Sequence, residues 1–526
     1  MRRPLRAAAA MGVLAAAGLA VSPSEHAASG LGFSDRIYVD HNLAGGEPLV
    51  IHPTVDAKGN PAPPGRLIYT AHEGTTHLFR DGVFQAPTGV SDFVTNYRNQ
   101  VNIWTSNDNG STWTKVDFNG TGFFTDPTKN TGFSDPDLTQ DEGGNVYNTG
   151  IDLANDALFS TPDLGATWPT GTVQCNQGDR PWLAGAQSGV VYLGTNVQGG
   201  SHTVFRSKDA GNSCDSSWSV VHSGGIGKLM YDHVRHQLIE AAFANNGFAV
   251  GVLPDGGTAF TDHQATPATS IQSHWPSMAI DAAGNYYLVW DTDVRDAATT
   301  NGCGLAPNSV GGPGASNTPL ANEVMMVSST DGGSTWSAPT VVAHQSNRRL
   351  LWPWVTAGAA GGVAVVWYQY DQVTDPDCGT GFVNIHVAEY TNATNPATRT
   401  VSTAQTQDVH QGGICQGGTT CAATGQDRRL GDFFTNALDA NGCLLIASGD
   451  TTLTDPLTGA QLPTSRPVLF RQTGGPSLTT GADCATPAAN VPETRWAAAA
   501  LIAGAAGALA GERWLSRRRR RRAVIV

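Results

Sequence analysis

Arg180, Arg349 and Arg429 each sit among carboxylates or aromatic residues, in Asp179-Arg180-Pro181-Trp182, Arg348-Arg349-Leu350-Leu351-Trp352 and Arg428-Arg429-Leu430-Gly431-Asp432. A guanidinium fork matches a carboxylate in bidentate fashion, so such residues either grip an acidic ligand or lock to a neighbouring Asp. The pairs Asp179–Arg180 and Arg429–Asp432 suit the second role. Residues 31–491 hold only 20 basic residues against 41 acidic ones. A body this acidic repels phosphate backbones, which argues against nucleic acid as a partner. Titratable groups recur in comparable segments: His52, Asp135 and Asp137, His274, His72 and Glu73, Asp291, Asp293 and Arg295, Tyr368, Tyr370 and Asp371, and Asp450. No Cys-x-x-Cys pair, nucleotide-binding loop or haem motif occurs, so no metal or cofactor is expected.

These residues hang on a repeated scaffold. Ser106-Asn107-Asp108-Asn109-Gly110-Ser111-Thr112-Trp113 recurs as Thr161-Pro162-Asp163-Leu164-Gly165-Ala166-Thr167-Trp168 and as Ser329-Thr330-Asp331-Gly332-Gly333-Ser334-Thr335-Trp336. Ser207 to Cys214, around Asp209, keeps the turn and loses the tryptophan; Asp255 to Phe260 is a worn copy. Asp accepts backbone N–H groups in such a turn, and Gly supplies the positive φ at its tip. The tryptophan opens the returning strand, and Trp113, Trp168 and Trp336 are expected to be mostly buried between neighbouring sheets. A second phrase, strand, Asp-x-x-Gly turn, strand, precedes the first; His52 through Gly59, Trp275 through Gly284 and Phe433 through Gly442 are examples. Seven such units lie between Glu47 and Pro476, each with material for about four strands, the content of one propeller blade. The spacing predicts an all-β, closed propeller of four-stranded blades over 30–476, seven blades with six as the alternative. The wide step from Asp255 to Asp331 maps to a Gly/Pro/Asn-rich insertion, 291–322.

The repeated phrase resembles the Asp-box, or BNR, repeat of the sialidase-like β-propellers. That resemblance implies that Asp108, Asp163, Asp209 and Asp331 are structural, on the face opposite the active site. It also implies a glycan or glycoprotein ligand. In catalytic sialidases three arginines hold the sugar carboxylate, a tyrosine is the nucleophile and an aspartate the acid/base. Carried over, Arg180, Arg349 and Arg429 form the clamp, Tyr370 the nucleophile, and Asp135 or Asp432 the acid. This chain departs from the family at Val50-Ile51-His52-Pro53, where the enzymes carry Phe/Tyr-Arg-Ile-Pro, and in having seven units rather than six. Two readings therefore stand together: a retaining exo-glycosidase for terminal acidic sugars, and a non-catalytic surface propeller that binds protein or carbohydrate, expected to be monomeric.

The ends read as addresses. Met1-Arg2-Arg3, Arg6, an Ala/Leu/Val-rich run and Ala27-Ala28-Ser29 describe a secretory signal over 1–29. A linker over 477–495 leads to an apolar stretch, 496–515, long enough to span a bilayer. Six consecutive arginines, Arg517 to Arg522, lie in the tail 516–526 and place it on the cytoplasmic side. Val491-Pro492-Glu493-Thr494-Arg495 resembles a cell-wall sorting signal but lacks its glycine. The expectation is an exported body held at the cell surface. Eight cysteines suit that compartment. Cys303 and Cys378, each just past a second strand of adjacent units, are expected to bridge; Cys415–Cys421 is next by proximity, and Cys175–Cys214 and Cys443–Cys484 follow by elimination.

Overall fold

The computed structural model describes residues 30–72, 78–80, 83–85, 101–116, 134–151, 156–176, 178–197, 201–267, 276–292, 323–345, 348–371, 381–414, 427–454, 456–457, 459–462 and 464–485. Among them there is no helix, and none therefore long and apolar enough to cross a membrane. The signal and anchor segments lie outside the described residues.

Seven antiparallel sheets follow one another around a ring. Blade 1 is Leu49–Ile51, Leu67–Ala71, Asn102–Ser106 and Thr114–Lys115. Blade 2 is Ser134–Gln140, Val146–Ile151, Asp156–Thr161 and Thr170–Asn176. Blade 3 is Gly178–Gly185, Val191–Val197, Ser201–Ser207 and Ser219–Val221. Blade 4 is Gly225–Asp232, Gln237–Ala244, Gly247–Pro254 and Thr261–Gln264. Blade 5 is Ser277–Ile280, Tyr286–Thr292, Glu323–Ser329 and Thr340–His344. Blade 6 is Leu350–Ala357, Val363–Tyr370, Phe382–Thr391 and Thr400–Gln411. Blade 7 takes Thr435–Leu438, Leu444–Asp450 and Arg466–Gly474 from the end of the body and completes itself with Gly32–Phe33 and Ile37–Tyr38 from its start.

That last pairing closes the ring. Ile37 and Tyr38 lie opposite Leu469 and Val468. Arg36 and Tyr38 both reach the buried Asp450 carboxylate, at 3.0 and 2.6 Å. A closed ring leaves no sheet edge between first and last blades, the liability that open β-arrays must cover.

The repeated turns behave as their chemistry requires. Each joins the third strand of its blade to the fourth. Asp108 accepts the Thr112 N–H at 2.8 Å and its hydroxyl at 2.7 Å, while the Ser106 hydroxyl accepts the Gly110 N–H at 2.9 Å. Asp163, Asp209 and Asp331 repeat the pattern with Thr167, Ser213 and Thr335. Trp168 is fully buried, and Trp113 and Trp336 are mostly covered and pack against the core, less completely than Trp168. The Asp-x-x-Gly turns tie blades together: Asp141 binds Asn145 in its own turn and also the Gly189 N–H of blade 3, at 2.8 Å. Asp281 does the same with Gly361 of blade 6, at 2.8 Å.

Disulfides join Cys175 to Cys214 and Cys443 to Cys484, with Cα atoms 5.1 and 5.8 Å apart. Cys303, Cys378, Cys415 and Cys421 lie outside the described residues.

Candidate functional site at the mouth of the axial channel

The first strands line the ring axis and start on the face opposite the box turns. Several enter through a distortion. Glu47, Asp135, Arg180 and Trp352 have φ of 51, 52, 59 and 53°. Each precedes a proline: Pro48, Pro136, Pro181 and Pro353. Strand register shifts beside Asp135, Arg180 and Trp352. A bulge of this kind re-aims a side chain, and a left-handed non-glycine residue costs about 1–3 kcal/mol, so the surroundings must hold it.

Glu47 supplies part of that hold. Its side chain is 1% exposed, and its two oxygens accept the backbone N–H groups of Asp135 in blade 2 and Asp432 in blade 7, at 3.2 and 3.1 Å. Arg428 forms a two-pronged pair with Asp432, one prong at 2.9 Å, and lies 3.9 Å from Glu47. Burial, with the charges of Asp135 and Asp432 alongside, raises the Glu47 carboxyl well above the usual range. Burial, then Asp179 and Asp432, pushes Asp135 up to about 6. His72 is buried next to Arg428, and burial with that cation pushes its imidazole down to about 3, so it is neutral.

Asp135, Arg180, Pro181, Trp182, Asp432 and Phe433 line a small pocket of about 10 Å³ at this mouth. Arg180 is the half-exposed cation there, its Nε 3.9 Å from the exposed Asp179 carboxylate. Trp182, Trp354 and Phe433 pack at 5.4–5.9 Å between ring centroids. Blades 3 and 6 stand on opposite sides of a seven-membered ring, so these rings meet across the axis and plug the channel.

Of the expected site residues, the fold brings Asp135, Arg180 and Asp432 together. Arg349 and Tyr370 pair with each other in blade 6, where the Tyr370 N–H donates to the Arg349 carbonyl at 3.3 Å. Both are buried, and the Tyr370 hydroxyl donates to the Gly412 carbonyl at 3.2 Å. The Arg429 guanidinium turns to Asp427, the Leu462 carbonyl and Gln461. Its expected partner Asp432 belongs instead to Arg428. His52 does not begin a first strand: it follows the end of Leu49–Ile51, and Glu47 holds the entry position. The repeated residue-before-proline pattern of Glu47-Pro48, Asp135-Pro136 and Arg180-Pro181 was the available signal for Glu47. His274, Trp275, Asp293, Arg295 and Glu73 lie outside the described residues.

No protein-family model matches the chain, and no curated protein matches it. Solved structures do. A structure of YCF48 bound to D1 peptide is 11% identical, with a TM-score of 0.41, over 85% of this chain and 97% of that one. A point mutant of NanB sialidase from Streptococcus pneumoniae is 11% identical, TM-score 0.39, over 83% and 70%. The Dos1 propeller is 9% identical, TM-score 0.39, over 84% and 95%.

Proposed function

We propose that this is an exported, membrane-held propeller that binds a hydroxyl-rich, neutral glycan at its axial mouth and does not hydrolyse it. The observation that carries this reading is the commitment of Arg429, one of the three expected clamp arginines, and of Tyr370, the expected nucleophile. Arg429 is neutralised by Asp427, and the Tyr370 hydroxyl is buried against a backbone carbonyl. A clamp for a sugar carboxylate needs guanidinium groups that are open to the ligand. What the mouth presents instead is the Asp135 and Asp179 carboxyls around one half-exposed arginine, over the Trp182 and Phe433 rings. Carboxyl acceptors suit sugar hydroxyls, and an anionic terminal sugar meets like charge there.

Binding of the full chain to immobilised neutral oligosaccharides tests this. Retention should fall for Arg180→Ala and Asp135→Ala together with unchanged thermal stability. Hydrolysis of a fluorogenic sialoside by the purified protein would overturn it and return the glycosidase reading, with Asp135 as acid.

A further inference from the structure

The aromatic plug has a second side. Toward the box-turn face the channel opens into a chamber of about 720 Å³, within the range of small-molecule sites. We propose that this chamber is a binding site for an apolar ligand with one acyl end, a fatty acid or its ester. This goes beyond the mouth site and stands independently of it.

One part of the wall is aliphatic, with Met230, Ile280, Ala357 and Leu438 from the first strands of blades 4, 5, 6 and 7; Thr139, Gln140, Tyr231 and Thr479 line it as well. The chamber follows blade 4 over the five residues from Lys228 to Asp232, roughly 13 Å at the strand rise. Its inner end is lined by Leu183 and Lys228, next to the plug. Lys228 sits at that end, its ammonium 5.3 Å from the centre of the Trp182 ring and bonded to the fully buried Asp137. An ammonium has three N–H donors, and the Asp137 bond uses one. The carboxylates near the opening are already engaged. Asp232 binds Arg235 and Tyr286, and Asp281 binds Asn285, Tyr287 and Gly361. His233 at the rim pairs with Glu142 at 2.9 Å. A ligand entering here therefore meets a partly aliphatic wall along its length and, at its tip, the remaining N–H donors of an ammonium already paired with Asp137. A carboxylate or ester oxygen meets those donors; an alkane offers them nothing.

The test is photolabelling of the full chain with a diazirine-bearing long-chain fatty acid and, separately, with its methyl ester, followed by mapping of adducts. Adducts are expected on Met230, Ile280 or Leu438. Ala357→Trp fills the chamber without touching the ion pair and should cut them about tenfold. Lys228→Met should cut labelling by the acid about tenfold, the value of a charged hydrogen bond, and Lys228→Arg, which keeps a partner for Asp137, should restore it. Labelling by the acid alone assigns the ligand as a free carboxylate; labelling by both assigns the shared carbonyl oxygen. Absence of adducts in the chamber, labelling indifferent to Ala357→Trp, or labelling by the ester alone would overturn the assignment.

Discussion

Nδ1 of His222 lies 2.6 Å from Oε2 of Glu240, both side chains buried, across the seam between blades 3 and 4. The contact is one link in a chain. Nε2 of His222 meets Asp262 at 2.8 Å, and Nε2 of His202 stands 2.5 Å from the other Glu240 oxygen. Phe260 stacks on the His222 ring at 4.2 Å. Burial opposes charge on both groups, yet the pairing prevails: His222 is raised and Glu240 lowered. A raised histidine contributes stability that is full below its unfolded value near 6.5 and lost as pH climbs through the folded one. A lowered glutamate contributes stability that is full above roughly 4.5 and lost as pH falls. The seam should therefore be strongest between about pH 4.5 and 6.5.

Glu240→Ala leaves two buried histidines without their shared anion and should cost about 3–5 kcal/mol near pH 5.5. The penalty should shrink as pH rises and His222 loses its proton. Thermal melts of both proteins across pH 5 to about 9 check this; a penalty that is flat with pH would show that the histidine charge plays no part.

Ring closure makes a separate claim. Asp450 is the shared acceptor for Arg36 and Tyr38, so Asp450→Ala should cost about 2–4 kcal/mol and loosen the N-terminal strand. Hydrogen exchange at Ile37 and Tyr38 should accelerate with it. Unchanged protection there would mean that the strand is held by its backbone bonds alone.

The unequal burial of the repeated tryptophans fixes an order. Trp168→Ala should cost about 3–5 kcal/mol, as large core truncations do. Trp113→Ala and Trp336→Ala should each cost less, because part of each ring already meets water. Urea midpoints for the three variants measure the ranking, and equal losses would contradict it.

The blades were readable because their signal is local. Asp108, Thr112, Ser106 and Gly110 satisfy one another within a few residues, so the sequence carries the whole turn. The closure strand was not, because Gly32–Phe33 and Ile37–Tyr38 are short, carry no box, and find their partner more than 400 residues away. The site was legible as residue types at strand ends. Which Arg takes which Asp was not: Arg428 and Arg429 are neighbours in sequence, and only the backbone path decides that one faces Asp432 and the other Asp427. Glu47 was hidden for a different reason. Blade 1 places His52-Pro53 and Pro61 to Gly65 between its first two strands, and the longer hairpin shifts the apparent strand start by several residues.

Disulfide mapping without reduction should recover Cys175–Cys214 and Cys443–Cys484. The remaining four cysteines should then resolve as Cys303–Cys378 and Cys415–Cys421. A peptide joining Cys303 to Cys415 or Cys421 would refute the pairing of the fifth- and sixth-blade insertions.

A glycan array printed with matched pairs, each oligosaccharide with and without a terminal sialic acid, distinguishes binding of neutral glycans from sialidase action. One incubation with the full chain reads both retention of the protein and loss of sialic acid from the spots. Retention is expected on the neutral members and weaker on the sialylated ones, with no loss of sialic acid. Preferential retention on the sialylated members, or their conversion to neutral spots, would contradict it.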